Sequence, residues 1–468
     1  MGIKNQVLAS IVVSYLCLTT GMISTWASSV INLFSSENTT LNRPMTDTEV
    51  SLLGGLPSAA SLFTIPLSGI FLDYFGRKYT CIIISLFQVV GWSVIVLFPY
   101  VEAVLIGNFI NGFSFCMYMT VPVFVGEYCQ ENIRGTMTSG VLSLFPVGWM
   151  VSYLMGTLEY NVMNYSSLSM SVFGTLILFY MHESPLHLLK KGLEKEAAES
   201  IAHYRGVKVD SKEVQQEIEN IKRTLNPELD DATPELEKLQ PDLQKREKLT
   251  TWQFLKKSRS TRRALVLSLA LFAAAVFQGQ VVVQVYAEPL FAMAVPSMST
   301  TVASVIFAVV NIFAALLVAV VIDRLGRRPL MIYSSLFTAV FAALLGSLIQ
   351  LSWAPNWVTA IIIYLFCFTY TTGAGTIPYT MNAELFLPEI KNFATIASVE
   401  FSFLGFFVVL FIFHPVVSVL GLGPLFYIFS GTCVATAIFC SFFLPETKGL
   451  TVDVIQLQFY NPRSHNNV

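Results

Sequence analysis

Charged side chains are scarce in this chain, and those between its long apolar runs recur in two matched sets. One stretch reads Gly69-Ile70-Phe71-Leu72-Asp73-Tyr74-Phe75-Gly76-Arg77-Lys78, and a second reads Asp323-Arg324-Leu325-Gly326-Arg327-Arg328. Glu127 is followed seven positions on by Arg134-Gly135, and Glu384 seven positions on by Lys391. Glu183-Ser184-Pro185 ends the first set, and Pro445-Glu446-Thr447-Lys448-Gly449 ends the second. The chemistry on offer is ion pairing. No nucleophile, base and orienting group stand together, and there is neither a glycine-rich phosphate loop nor a metal-ligand set, so no enzyme activity, cofactor or metal is expected. Acids and bases at helix ends on one plane can tie helices together. Where helices pack, the dielectric is below that of water, and each pair can exceed the roughly 0–1 kcal/mol of an exposed one. Pairs that join two bundles in one state and break in another bias an equilibrium between states.

A second group of polar residues lies inside the apolar runs: Gln278, Gln280, Gln284 and Asn311, with Tyr379 beside Gly373, Gly375 and Pro378. Side-chain amides donate and accept at once. Gln280 and Gln284 share a helix face at i, i+4. Glu400 is the one formal charge well inside a run. An intramembrane carboxylate is a functional candidate by default, because burying it unpaired costs several kcal/mol and protonation avoids that cost. The plainer reading pairs it with a basic residue such as Lys391.

The elements that must position these groups follow from composition. The chain has 468 residues, of which 54% are hydrophobic and 12% charged, with a mean hydropathy of +0.63. So little charge cannot cover a soluble protein of this length, and the surplus apolar surface must face lipid. The net charge of −2 and the absence of aromatic residues interleaved with basic ones exclude nucleic acid. About 20 mostly apolar residues span a bilayer as a helix. Twelve runs qualify: 7–28, 52–72, 79–98, 103–125, 136–158, a short 166–181, then 264–287, 302–322, 330–351, 358–381, 393–413 and 422–444. The first is too long for a signal-peptide core and is expected to remain as a span.

With both termini inside, Arg43 is the only basic residue left outside, which fixes the orientation by the positive-inside rule. The loop 29–51 is then outside and carries the sequon Asn38-Thr39-Thr40. A second sequon, Asn164-Tyr165-Ser166, lies too near the membrane for modification. The segment 186–263 holds over half of the charges and reads as a cytoplasmic helical insert, with helices near 190–204 and 211–224. Its X-Pro steps at 226–227, 233–234 and 240–241 interrupt helices. Lys256, Lys257, Arg259, Arg262 and Arg263 suit anionic headgroups. The seven cysteines predict no disulfide framework. The resulting division is 1–185 and 264–449 as two six-helix bundles, 186–263 as insert and 450–468 as tail.

The paired loops, with Gly373-Ala374-Gly375-Thr376-Ile377-Pro378-Tyr379 and Ala383-Glu384-Leu385-Phe386, resemble the sugar porters of the major facilitator superfamily, in the style of insect facilitated trehalose transporters. The resemblance covers the whole chain. It implies an all-α membrane protein whose bundles rock about a midplane site. It further implies a cytoplasmic gate of Asp73, Arg77, Glu127, Arg134 and Glu183 facing Asp323, Arg327, Glu384, Lys391 and Glu446. Lys391 stands where relatives usually have Arg, which removes the bidentate fork. Asn311 matches the family's sugar-contacting Asn, and Tyr379 stands where Trp is usual. Ala275 and Val276 occupy the positions of a Gln pair, so Gln278, Gln280 and Gln284 are expected to bind from a shifted position. Leu142, Asn108 and Ser402-Phe403 also depart from the family pattern. The reading is a facilitative carrier of trehalose, a hexose or a polyol, acting as a monomer in the plasma membrane. A proton symporter using Glu400, and a non-transporting sugar receptor, stay open as alternatives.

Overall fold

In the computed structural model the described residues are 2–225, 255–256, 258–450 and 452–460, and they form helices and turns without strands. The X-Pro steps of the insert and Lys257 lie outside them.

The first bundle begins with α1 (Gly2–Phe34), α2 (Asp47–Phe75) and α3 (Arg77–Leu97). The fourth span is α4 (Val101–Gly112) and α5 (Met117–Tyr128) joined by a 3-10 turn, and the fifth is α6 (Glu131–Val141) and α7 (Leu144–Met155). The sixth is α8 (Tyr160–Phe179), longer at its start than the expected 166–181. Among the described residues of the insert three short helices follow: α9 (Pro185–Lys190), α10 (Glu194–Arg205) and α11 (Lys212–Leu225). They dock on the first bundle, where Tyr204 stacks on Tyr128 at 4.5 Å between ring centroids.

The second bundle opens with a span in three pieces: α12 (Arg259–Phe277), α13 (Gln280–Val285) and α14 (Ala287–Ala294). Then come α15 (Thr300–Leu325), α16 (Arg327–Leu351), α17 (Asn356–Thr372) with α18 (Ile377–Leu385), α19 (Pro388–Leu420), α20 (Leu422–Phe443) and a terminal α21 (Val452–Tyr460). Among the described residues eleven helices are long and apolar enough to cross a membrane, and α7 is a shorter apolar helix that completes the fifth span with α6. The chain is therefore a multi-pass membrane protein of twelve spans in two bundles.

One correction matters below. The helical path of the seventh span does not stop at residue 287: α14 continues it to Ala294, and Glu288 lies in the first turn of that helix. The apolar run ended at 287 because a charge and a proline, Glu288-Pro289, follow it.

Close helix contact uses small residues, as expected where no hydrophobic force drives helices together in lipid. At the crossing of α1 and α7, a Cβ on Gly21 would overlap the Phe145 carbonyl, and one on Gly148 would overlap the Leu18 carbonyl. Both obstacles are backbone and cannot swing aside. Gly148→Ala is expected to lower the melting temperature of the detergent-solubilised protein and broaden its gel-filtration peak. Gly135→Ala, where an added Cβ meets nothing within 4 Å, should leave both unchanged or raise stability slightly.

Candidate functional site

Three helices of the second bundle bring together one compact polar group. Gln280 opens α13, and its Nε2 donates to Oδ1 of Asn311 on α15 at 2.6 Å. The Thr371 hydroxyl, in the last turn of α17, donates to the same Asn311 oxygen at 2.7 Å and lies 3.3 Å from Gln280 Nε2. Asn311 Nδ2 donates to the Phe307 carbonyl at 2.9 Å, which fixes the amide's orientation. Two of the three members sit beside a break, since Gln280 follows Gly279 and Thr371 precedes the non-helical segment between α17 and α18, while Asn311 stands within the continuous helix α15. Irregular backbone at membrane depth is tolerated where it is buried in protein or lines a cavity.

The other expected residues separate. Gln278 is fully buried and turned to Ser335 of α16, 3.5 Å away, so it does not join Gln280. Gln284 reaches the other bundle, donating to the Ser24 hydroxyl of α1 at 3.1 Å. Gly373 packs against Ser334 of α16, and Gly375 against Thr371 and Tyr370. Tyr379 is 40% exposed and meets Phe272 of α12 edge-on at 5.0 Å. Glu400 does not pair with Lys391; its Oε1 is buried with no hydrogen-bond partner among the described residues, and Lys391 is exposed. Asn108 donates to the Leu53 carbonyl and holds α4 to α2. Thr371 went unnoticed in the sequence because a lone threonine in an apolar run is commonplace; its place two residues before Gly373 was the available signal.

The bundles meet through aromatic and polar contacts. Trp149 stacks on Phe307 at 6.1 Å, and Phe403 packs on Phe115 at 5.5 Å. Toward the end that carries the loop 35–46, Glu288 Oε1 accepts from the Ser29 hydroxyl at 2.8 Å, the Glu288 N–H donates to the Ser28 hydroxyl at 2.8 Å, and Tyr153 donates to the Gln284 carbonyl at 2.6 Å. These bonds close that end.

At the opposite end the ion pairs among the described residues lie within the bundles. Arg77 Nη2 pairs with Glu127 at 2.7 Å, and Arg327 Nη2 with Glu384 at 2.7 Å, each within its own bundle. Glu183 and Glu446 pair with no cation among the described residues. Each caps a helix, accepting the main-chain N–H groups of Arg77 and Lys78 at 2.8 and 3.1 Å, or of Arg327 and Arg328 at 3.0 and 3.1 Å. A carboxylate at a helix N-terminus meets free N–H donors and the positive end of the dipole. Gly76 and Gly326, at φ of +92° and +90°, turn the chain there, and a Cβ on either would run into the capping carboxylate. Ser184 and Thr447 complete the pattern by donating to Glu127 and Glu384. The expected gate is thus two equivalent networks, one per bundle. Asp73, Arg134 and Lys391 are exposed with no ion pair among the described residues, and the Asp323 side chain lies outside what the structure describes.

Two equivalent bundles that meet around broken helices define a secondary-carrier architecture of the major facilitator class. The chain belongs to the sugar (and other) transporter family, whose pattern it matches over residues 6–459. It is 26% identical over 467 residues to the facilitated trehalose transporter Tret1 of Drosophila mojavensis, covering 97% of this chain and 51% of that protein. The Aedes aegypti Tret1 is 25% identical over 466 residues, covering 97% and 55%. The chain spans about half the length of these relatives. Among solved structures it is similar to the inward open conformation of the xylose transporter XylE from E. coli, with a TM-score of 0.78 and 18% identity over 97% of this chain and 99% of that one. That likeness establishes the fold.

Proposed function

We propose that the chain is a facilitative carrier for a small sugar, trehalose, a hexose or a related polyol, that works by alternating access. The observation that carries this reading is the Gln280–Asn311–Thr371 cluster at the broken seventh and tenth spans. Amides and a hydroxyl that already exchange hydrogen bonds can exchange them with sugar hydroxyls, and Tyr379 offers a partly exposed ring for the apolar face. The paired charge networks favour a carrier over a receptor, since a receptor need not cycle. Uptake of a panel of labelled sugars by proteoliposomes tests the reading, with trehalose first because the relatives are named for it. Saturable uptake of at least one is expected; uptake of none overturns it.

In this reading the termini and the insert face the cytoplasm and the loop 35–46 faces outside. The present conformation is then closed outside. The exposed Asp73, Arg134 and Lys391 supply charges that meet across the bundles when the inner end closes. The unpartnered Glu400 Oε1 favours a second reading, a proton symporter.

Orientation has its own check. Asn164 is 1% exposed and accepts from Trp26 Nε1 at 3.0 Å, so burial withholds that sequon from glycosylation. Expressed in a eukaryotic cell, the protein should carry a glycan that Asn38→Gln alone removes, read as a mobility shift on treatment with an N-glycosidase. A shift that persists in Asn38→Gln would contradict the orientation.

A further inference from the structure

Glu288 is 9% exposed, in the first turn of α14, at a contact between the bundles. Its Oε1 accepts from Ser29 at 2.8 Å, and no salt bridge reaches it among the described residues. The groups that face it carry no opposing charge. From α1 come the Ser28 and Ser29 hydroxyls. From α7 and its C-terminal cap come the Tyr153 phenol, which is committed to the Gln284 carbonyl, and Gly156, where an added Cβ would lie 3.0 Å from Oε1. On α13 the neighbouring Gln284 is neutral and turned to Ser24 of α1. From α17, Tyr364 meets α14 at Phe291, and its hydroxyl is committed to the Ala303 carbonyl of α15. The charged residues of α15, Asp323 and Arg324, stand at its far end. A carboxylate that Ser29 holds between two moving bundles, with no cation beside it, is therefore tied to whether that end is shut.

We propose that Glu288 is a proton-binding site of the outer gate, and that a proton taken up from the outside solution holds the gate closed. This rests on the orientation and alternating access proposed above. Burying a carboxylate beside a single hydroxyl donor costs far more when it is charged than when it is neutral. Parting α1 from α14 admits water and removes that cost. The closed gate then binds the proton more tightly than the open gate, and by reciprocity the proton favours closure. One linked proton changes the closed-to-open ratio by at most tenfold per pH unit. The proton enters and leaves on the same side, so it alters poise and rate while the final distribution of sugar stays equilibrative.

The test needs no sugar, and so stands apart from the identity of the substrate. Spin labels on Leu158→Cys and Ser297→Cys, both exposed outer positions, report outer separation in nanodiscs between pH 8 and 5. The native cysteines are buried. The closed population should grow as pH falls. Glu288→Gln, a mimic of the protonated acid, should be closed and independent of pH. Ser29→Ala, which removes the donor to the charged form, should move the midpoint to higher pH. Glu400→Gln should keep the native slope. A flat native titration, or a native slope in Glu288→Gln, overturns the proposal.

Discussion

Asn311→Ala is expected to weaken sugar binding about 5- to 150-fold, the equivalent of about 1–3 kcal/mol, with normal surface expression. The size follows from what Asn311 does. Its Oδ1 receives both Gln280 Nε2 and the Thr371 hydroxyl, and its Nδ2 is anchored on the Phe307 carbonyl. Removing it takes the short acceptor from both donors, leaving only the longer contacts of 3.3 and 3.5 Å between Gln280 and Thr371, and takes a donor–acceptor pair from the ligand. Thr371→Val keeps the shape and deletes one hydroxyl, so a smaller loss in the same direction is expected. Gln284→Ala behaves differently, because Gln284 bonds Ser24 across the bundles: its effect falls on the balance of conformations. Competition binding on purified protein checks all three. Unchanged affinity in both Asn311→Ala and Thr371→Val would move the site elsewhere.

Arg77→Ala is expected to cost about 3–5 kcal/mol of stability, a fall in melting temperature that nearby surface changes do not produce. Arg77 and Glu127 are only 6% and 12% exposed, and removing the guanidinium strands a buried carboxylate. The loss spreads, because Glu127 also receives Ser184 and Arg77 Nη1 donates to the Leu72 carbonyl at 3.1 Å. Arg77→Lys keeps the charge without the fork and should recover part of the loss. Arg134→Ala should change stability by no more than about 0.5 kcal/mol, since Arg134 is exposed. Equal melting curves for Arg77→Ala and Arg134→Ala would refute the buried network.

The sequence made the spans, their grouping and the paired loops legible, because lipid demands long apolar helices and repeats duplicate their signals. It could not show that the loop charges pair within a bundle. Arg77 and Arg134 look alike as cations near helix ends, yet one is buried against Glu127 and the other points to solvent. Nor could it show that Glu183 and Glu446 are caps, since capping depends on the turn at Gly76 or Gly326 delivering N–H groups to an acid over a hundred residues away. The glutamines of the seventh span were visible as a set, but i, i+4 spacing assumes an unbroken helix. The breaks at Gly279 and Tyr286 send Gln278 to Ser335, Gln280 to Asn311 and Gln284 to Ser24. Glu288 was hidden because its own charge ended the apolar run at 287, although the helix carries on to Ala294.

Facilitated sugar movement through the Gln280–Asn311–Thr371 site is tested most directly by uptake of labelled trehalose into proteoliposomes with an inward proton gradient, native protein beside Asn311→Ala and Glu400→Gln. Uptake should rise to the outside concentration and stop, be slowed in Asn311→Ala at low sugar, and reach the same end point in Glu400→Gln. Accumulation above the outside concentration that Glu400→Gln abolishes would contradict the facilitative account and make the protein a proton-driven carrier.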